Sequence, residues 1–233
     1  MQVMTRFVEL TPGKFAHASG ALWLAEARAV LLADVHLGYA WAQRRRGQLG
    51  PVLDGGVREQ LSQVLEELQP WQIVFLGDLV HAPKPDAEER AMICTMLDEL
   101  RARAPLTLVR GNHDRGFARD FAGCDVDVVE EWTCGDLIAR HGDREAQAPV
   151  DGFLAVGHHH PAYGLRDAAG VKQKLPVFLV GRRTFVLPAF SPFAAGVDVT
   201  KGLTTELKQL FGREPVQGVV ATGRRAVAIG RVA

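Results

Sequence analysis

Four histidines, two aspartates and one asparagine recur at a single kind of place in this sequence, directly after a short apolar run. Asp34-Val35-His36 follows AVLLA, and Gly77-Asp78 follows QIVFL. Gly111-Asn112-His113-Asp114 follows LTLVR, His141 follows LIAR, and His158-His159-His160 follows LAVG. Carboxylate, amide oxygen and imidazole, without thiolate, form a mixed oxygen–nitrogen donor set. Such a set suits Mn²⁺, Fe²⁺ or Zn²⁺ better than Ca²⁺, which prefers oxygen alone. The donors Asp34, His36, Asp78, Asn112, His141, His158 and His160 are too many for one tetrahedral site. They suit two ions sharing a carboxylate, and paired ions roughly 3.5–4 Å apart clamp an in-line displacement at phosphorus. Two divalent ions outweigh two carboxylates and a hydroxide, so the site stays positive and attracts a phosphate ester. The ions would also acidify a shared water, making hydroxide available near neutral pH.

The elements that must carry these residues follow from the apolar pattern. Ala21 to Leu32 reads as a hairpin of buried strands, and Ala42 to Gly50 as a polar, Arg-rich loop. Between Asp54 and Leu68, Val57, Leu61, Val64, Leu65 and Leu68 share one helical face, and Pro70 stops the helix. Gln72–Leu76 and Leu106–Val109 are continuous apolar runs, as in strands covered on both faces. Asp86 to Arg103 is helical, with Ile93, Met96, Leu97 and Leu100 on one side. This alternation predicts a largely parallel sheet.

The second half is strand-rich with little helix. Apolar runs at Val126–Glu131, Leu137–His141, Phe153–Gly157, Leu175–Val180 and Thr184–Leu187 precede a closing hairpin, Val216–Ala221 with Ala226–Val232. Two sheets packed face to face with helices outside satisfy both halves. In open α/β sheets ligands lie beyond the carboxyl ends of the strands, where all five motifs fall.

The 233 residues are 47% hydrophobic, enough for one sizeable core, and we read residues 1–233 as a single domain. Lys plus Arg equals Asp plus Glu at 27 each, so the chain is not a generally basic coat for nucleic acid. Cys94, Cys124 and Cys134 are odd in number and lack CxxC spacing. That argues against a disulfide framework or a structural zinc site, and for buried thiols in a reducing cytoplasm. No signal peptide or membrane span is evident.

Taken in order, DxH, GD, GNHD, a lone His and GHxH resemble the calcineurin-like metallophosphoesterases, across residues 34 to 160. The wider wording, LLADVHLGY, FLGDLVHAPK, LVRGNHDRG and LPAF from residue 187, is most similar to the bacterial ligase-associated DNA damage response endonuclease family. The resemblance implies a four-layer α-β-β-α sandwich of two mixed sheets flanked by helices. It implies that Asp34, His36 and His160 hold one metal, Asn112, His141 and His158 a second, and that Asp78 bridges them. His113 would protonate the leaving oxygen or steady the phosphate, and Asp114 would orient His113. The metals would be Mn²⁺, with Fe²⁺ or Zn²⁺ as alternatives. The implied activity is phosphodiester hydrolysis by metal-activated hydroxide, as a nuclease on DNA or RNA associated with DNA-repair proteins. A small-molecule or cyclic-nucleotide phosphodiesterase or phosphatase, or a silent scaffold of the same fold, are the competing readings.

Residues around the motifs are less specific. Arg44, Arg45 and Arg46 follow the first motif and could line a substrate groove or simply be solvated. Arg110 and Arg115 flank GNHD and could grip a phosphate or form salt bridges. His81 could reach substrate, and Trp41 could stack a base or join the core. His159 occupies the variable position of GHxH, although three consecutive histidines offer other registers.

Overall fold

The computed structural model describes residues 5–47, 55–82, 84–144, 147–166, 169–194 and 196–232. The chain opens with strands β1 (Phe7–Thr11), β2 (Lys14–His17), β3 (Leu22–Leu24) and β4 (Ala29–Ala33). Helices α1 (Tyr39–Arg45) and α2 (Gly55–Leu68) lead to β5 (Gln72–Leu76), and α3 (Ala87–Arg101) leads to β6 (Leu106–Val109). A short α4 (Phe117–Asp120) precedes β7 (Asp127–Val129). These strands form a seven-stranded sheet in simple sequence order, antiparallel from β1 to β4 and parallel from β4 to β7.

The second sheet begins with β8 (Trp132–Cys134), β9 (Leu137–Arg140), β10 (Phe153–Val156), β11 (Pro161–Arg166), β12 (Lys172–Val180), β13 (Thr184–Val186) and β14 (Val197–Asp198). It is completed, after α5 (Thr205–Phe211), by β15 (Gln217–Ala221) and β16 (Ala226–Arg231). It has nine strands in the order β14-β11-β12-β13-β10-β9-β8, with the β15–β16 hairpin on β12. Strands β9, β10 and β13 are parallel, so the carboxyl ends of β9 and β10 share an edge.

Alternation along the strands builds the layers. Val30, Leu32, Ile73, Phe75 and Leu108 face α2 and α3, meeting Leu61, Val64, Ile93 and Leu97. Their neighbours Leu31, Val74, Leu76 and Val109 face the second sheet, meeting Ala139, Ala155, Phe178 and Phe185. On its outer side that sheet presents Leu154, Val156, Val177 and Leu179 to Leu207 and Phe211 of α5. The result is the expected four-layer α-β-β-α sandwich. Among the described residues, no helix is long and apolar enough to cross a membrane.

Several expectations change. The Arg-rich stretch expected as a loop from Ala42 is helical to Arg45, and its last residues, 48–50, lie outside the described set, as does Asp54. Helix α1 lacks an amphipathic stripe or a side-chain cap; Gly38 stands at its N-terminus with φ 83°. Instead it is docked by Arg45, whose guanidinium lies 2.9 Å from the fully buried Glu89 carboxylate on α3. The second half contains α5, capped by Thr204, whose side chain accepts the Leu207 N–H. Cys94 and Cys124, expected as unpaired thiols, are joined in a disulfide with Cα atoms 5.9 Å apart; Cys134 is free. The pair clasps α3 to the segment after α4, and a sequence separation of 30 gives no local sign of it.

A candidate metal centre between the two sheets

The five motifs meet at the shared carboxyl edge of the sheets. Ligand atoms of Asp34, His36 and His160 lie within 4.8 Å of one another, and so do those of Asp78, His141 and His158. Asn112 joins the second group, its Oδ1 standing 3.1 Å from His141 Nε2. The sheets are stitched here by Asp34, whose Oδ2 accepts the His158 N–H at 2.9 Å. Close approach demands small residues. A Cβ on Gly157 would sit 2.7 Å from Ala33 Cβ and 2.9 Å from Asp34 Oδ2. A Cβ on Gly77, where φ is 73°, would collide with the His141 ring.

The backbone at the ligands is unusual. Asp34, His36, Asp78, His158 and His160 all have positive φ, between 44° and 65°. Left-handed conformation costs a non-glycine residue about 1–2 kcal/mol. At the end of a strand it turns alternate side chains toward one point, so that both ends of Asp34-Val35-His36 and of His158-His159-His160 reach the centre. Neither composition nor periodicity signals this geometry.

Electrostatics at the centre point to missing positive charge. His36 Nδ1 is buried without a hydrogen-bond partner, and the buried Asp34 Oδ1 has only the His160 ring nitrogen beside it. Burial pushes the His36 imidazolium down to a pKa of about 4, so its ring is a neutral donor. Burial also works against charge on Asp78. The His141 imidazole and the His113 N–H outweigh it and hold the Asp78 carboxyl well below the usual range. His141 is the reverse case. Burial lowers its pKa, but the Asp78 and Asp34 carboxylates and the Leu76 carbonyl raise it to about 9. Its Nδ1 donates to Leu76 O at 2.9 Å. Its Nε2 meets Asn112 Oδ1, His158 Nδ1 at 3.2 Å and Asp78 Oδ1 at 3.5 Å. Three acceptors converging on one proton are a cradle for a cation. His160 Nε2, 3.0 Å from Asp34 Oδ1, is likewise raised against burial by that carboxylate. Burial and the His141 charge lower His158. The donor set, the orphaned His36 nitrogen and the convergence fit divalent metal in both groups.

His113 lies beside the two groups. Its backbone N–H donates to Asp78 Oδ1 at 2.9 Å, and its Nε2 stands 4.0 Å from Asp78 Oδ2. Its ring is fixed through Nδ1 by the His81 carbonyl at 2.9 Å, not by Asp114 as expected. Asp114 is buried and instead accepts the backbone N–H groups of Gly111 at 3.0 Å and Val80 at 3.3 Å, shaping the loop that presents His113. Burial raises its pKa to about 6. The His81 ring does reach the centre, packing 5.4 Å from His36 and 5.9 Å from His113; burial lowers its pKa.

The arginines divide. Arg45 is tied to Glu89 and Asp86, and Arg110 to Glu130. Arg44 covers the Trp41 ring, whose Nε1–H donates to Met92 Sδ. Arg115 is exposed beside the GNHD loop. His159 lies outside both ligand groups, and burial lowers its pKa to about 4.

With this geometry in view, comparison with known proteins is decisive for the family. The family model described as calcineurin-like phosphoesterase matches residues 27–187, more than half of the chain. The chain belongs to the calcineurin-like phosphoesterase family. It is a metal-dependent phosphoesterase. Among solved structures, nuclease MPE of Pseudomonas putida is similar over 96% of this chain and 98% of its own, at 25% identity and a TM-score of 0.73. The E. coli phosphoesterase YfcE aligns over 88% of this chain and 98% of its own, at 14% identity and a TM-score of 0.43. No curated protein matches the chain. This calcineurin-like phosphoesterase carries both ligand groups at the strand ends named above, inside the matched region.

Proposed function

We propose that this calcineurin-like phosphoesterase is a two-metal phosphodiesterase that cleaves nucleic acid. The observation that carries the reading is the pair of adjacent ligand groups, Asp34/His36/His160 and Asp78/His141/His158, with Asn112 beside the second and His113 held against its Asp78. Bound divalent ions would acidify a water and neutralise charge on the phosphoryl oxygens. The protein's own part is to orient and to move a proton. Gly77 and Gly111 leave room for His141 and Asp78 to approach each other. Asp114 fixes the loop, the His81 carbonyl fixes the His113 ring, and His113 Nε2 is left facing the site. A proton held there beside Asp78 can pass to the departing oxygen. The similarity to nuclease MPE supports a polymeric substrate, and Mn²⁺ is the metal we favour.

A small diester as natural substrate is the second reading. It is favoured by zero net charge and by the ion pairs that occupy Arg45 and Arg110. Metal analysis, with hydrolysis of single-stranded DNA and of bis(p-nitrophenyl) phosphate under Mn²⁺, Mg²⁺ and Zn²⁺, tests the proposal. Two ions per chain and DNA cleavage that weakens steeply with salt are expected. One ion per chain, or turnover of small esters without any cleavage of nucleic acid, would reject it.

A further inference from the structure

His159, which no ligand group uses, lines a cavity of about 400 Å³ together with His158, Val156, Gln147, Glu206 and Gln209. His158 belongs to the second ligand group and Gly142 follows His141, so the cavity opens against the metal centre. Its size lies within the range of about 300–1,000 Å³ usual for ligand clefts. Helix α5 forms one wall. Leu207 and Phe211 are buried in the core, which turns Glu206, Gln209 and Leu210, at i, i+3 and i+4, toward the cavity. Glu206 is close enough for its charge to act on His158 and His159.

The lining decides what fits. Val156 and Leu210 offer apolar surface, and His159 adds a ring. Asp143 and Glu206 outnumber Arg144, so a second phosphate is repelled. Gln147 and Gln209 can each give and take hydrogen bonds. A flat neutral heterocycle satisfies the apolar surface, and amino N–H groups satisfy the carboxylates. Amide side chains pair with adenine, and carboxylates accept from the cytosine amino group, by the same donor–acceptor logic.

We propose that this cavity holds the nucleobase next to the scissile phosphate and prefers bases with an exocyclic amino group. The inference rests on the nucleic-acid reading above and adds its specificity determinants, Glu206 and Gln209. Thymine, which has no amino group, gains no hydrogen bond to Glu206, whose carboxylate is otherwise met only by Thr204, its own backbone and solvent.

The test compares kcat/KM for the p-nitrophenyl esters of deoxyadenosine, deoxycytidine and thymidine 5′-monophosphate, with bis(p-nitrophenyl) phosphate as a diester lacking a base. The amino-bearing esters should exceed the thymidine ester about tenfold, chiefly through KM. Glu206→Ala and Gln209→Ala, both at exposed positions, should erase that ratio. Equal turnover of the three esters by an enzyme active on bis(p-nitrophenyl) phosphate overturns the base site alone, as does a preference that survives Glu206→Ala. Failure to hydrolyse any of the four diesters overturns the phosphodiesterase reading and the inference with it.

Discussion

The Asp34 carboxylate accepts the backbone N–H of His158, 124 residues away, and so joins the two sheets at the edge where the ligands gather. One residue therefore serves two ends: Oδ2 is structural, while Oδ1 is buried and faces the His160 ring of its own ligand group, 3.0 Å away. Asparagine keeps an acceptor but loses the charge; alanine loses both. We predict that Asp34→Asn abolishes the stabilisation that Mn²⁺ confers yet retains the stability of the chelated wild type. Asp34→Ala should fall below it by about 1–3 kcal/mol, because a buried N–H is orphaned. Thermal melts with EDTA and with Mn²⁺ separate the two. Equal melting of both variants in EDTA would remove the structural role.

His36 holds φ at 50° and buries an unpartnered Nδ1. Asparagine tolerates the left-handed region better than histidine. The His36→Asn variant should lose metal from the first group while its chelated form melts no lower than chelated wild type. A drop of more than about 1 kcal/mol would show that the ring's packing outweighs the strain it carries.

Much of this site was legible because ligand chemistry needs particular side chains in a particular order. Asp34, Asp78, Asn112 and the histidines stand out after strands whose unbroken apolar runs already placed them on one edge. The strands β5 and β6 were equally legible, since both their faces are buried. What escaped depends on tertiary contact. Helix α1 is held by the Arg45–Glu89 pair rather than by periodicity. The Cys94–Cys124 pairing depends on how α3 and α4 pack. Asp114 follows His113 in sequence, yet its carboxylate turns back to the Gly111 and Val80 backbone. Five left-handed ligands could not be foreseen, because local preference opposes them and only the fold compels them.

Gly77 gives His141 its place. A methyl group there would enter the imidazole ring, against rigid surroundings that include the Gly111 backbone. The positive φ adds further strain for alanine. The Gly77→Ala variant should lose roughly 2 kcal/mol of stability. Metal content should fall from two ions to one, with the second group lost. Normal occupancy by elemental analysis would contradict this placement of His141.

His113 belongs to neither ligand group; its backbone N–H is bound to Asp78, but its side chain is 36% exposed, open to substrate. The His113→Ala variant should keep both metals. Turnover of dinucleotides, whose alkoxide leaves poorly, should fall about 100-fold or more, the usual worth of a general acid. Esters of p-nitrophenol, which need no proton, should lose far less. Equal losses on both substrates would place His113 in phosphate binding instead.

Far from the centre, His17 lies fully buried beneath Phe7, with Nδ1 2.8 Å from Ser19 Oγ and Nε2 3.3 Å from Glu67. Burial lowers the His17 pKa below 6.5; Glu67 pulls the other way and Arg6 adds to the lowering. The Arg6 hydrogen bond likewise holds Glu67 below 4.5. Both folded values are depressed, so the unfolded chain binds more protons. Stability from this cluster is therefore present above pH 6.5 and is lost as pH falls, first through His17 and then through Glu67. In His17→Asn the first loss is absent. The melting-temperature gap between wild type and this variant should narrow from pH 7.5 to pH 5. A gap that widened toward acid would mean that Glu67 holds His17 charged in the folded state.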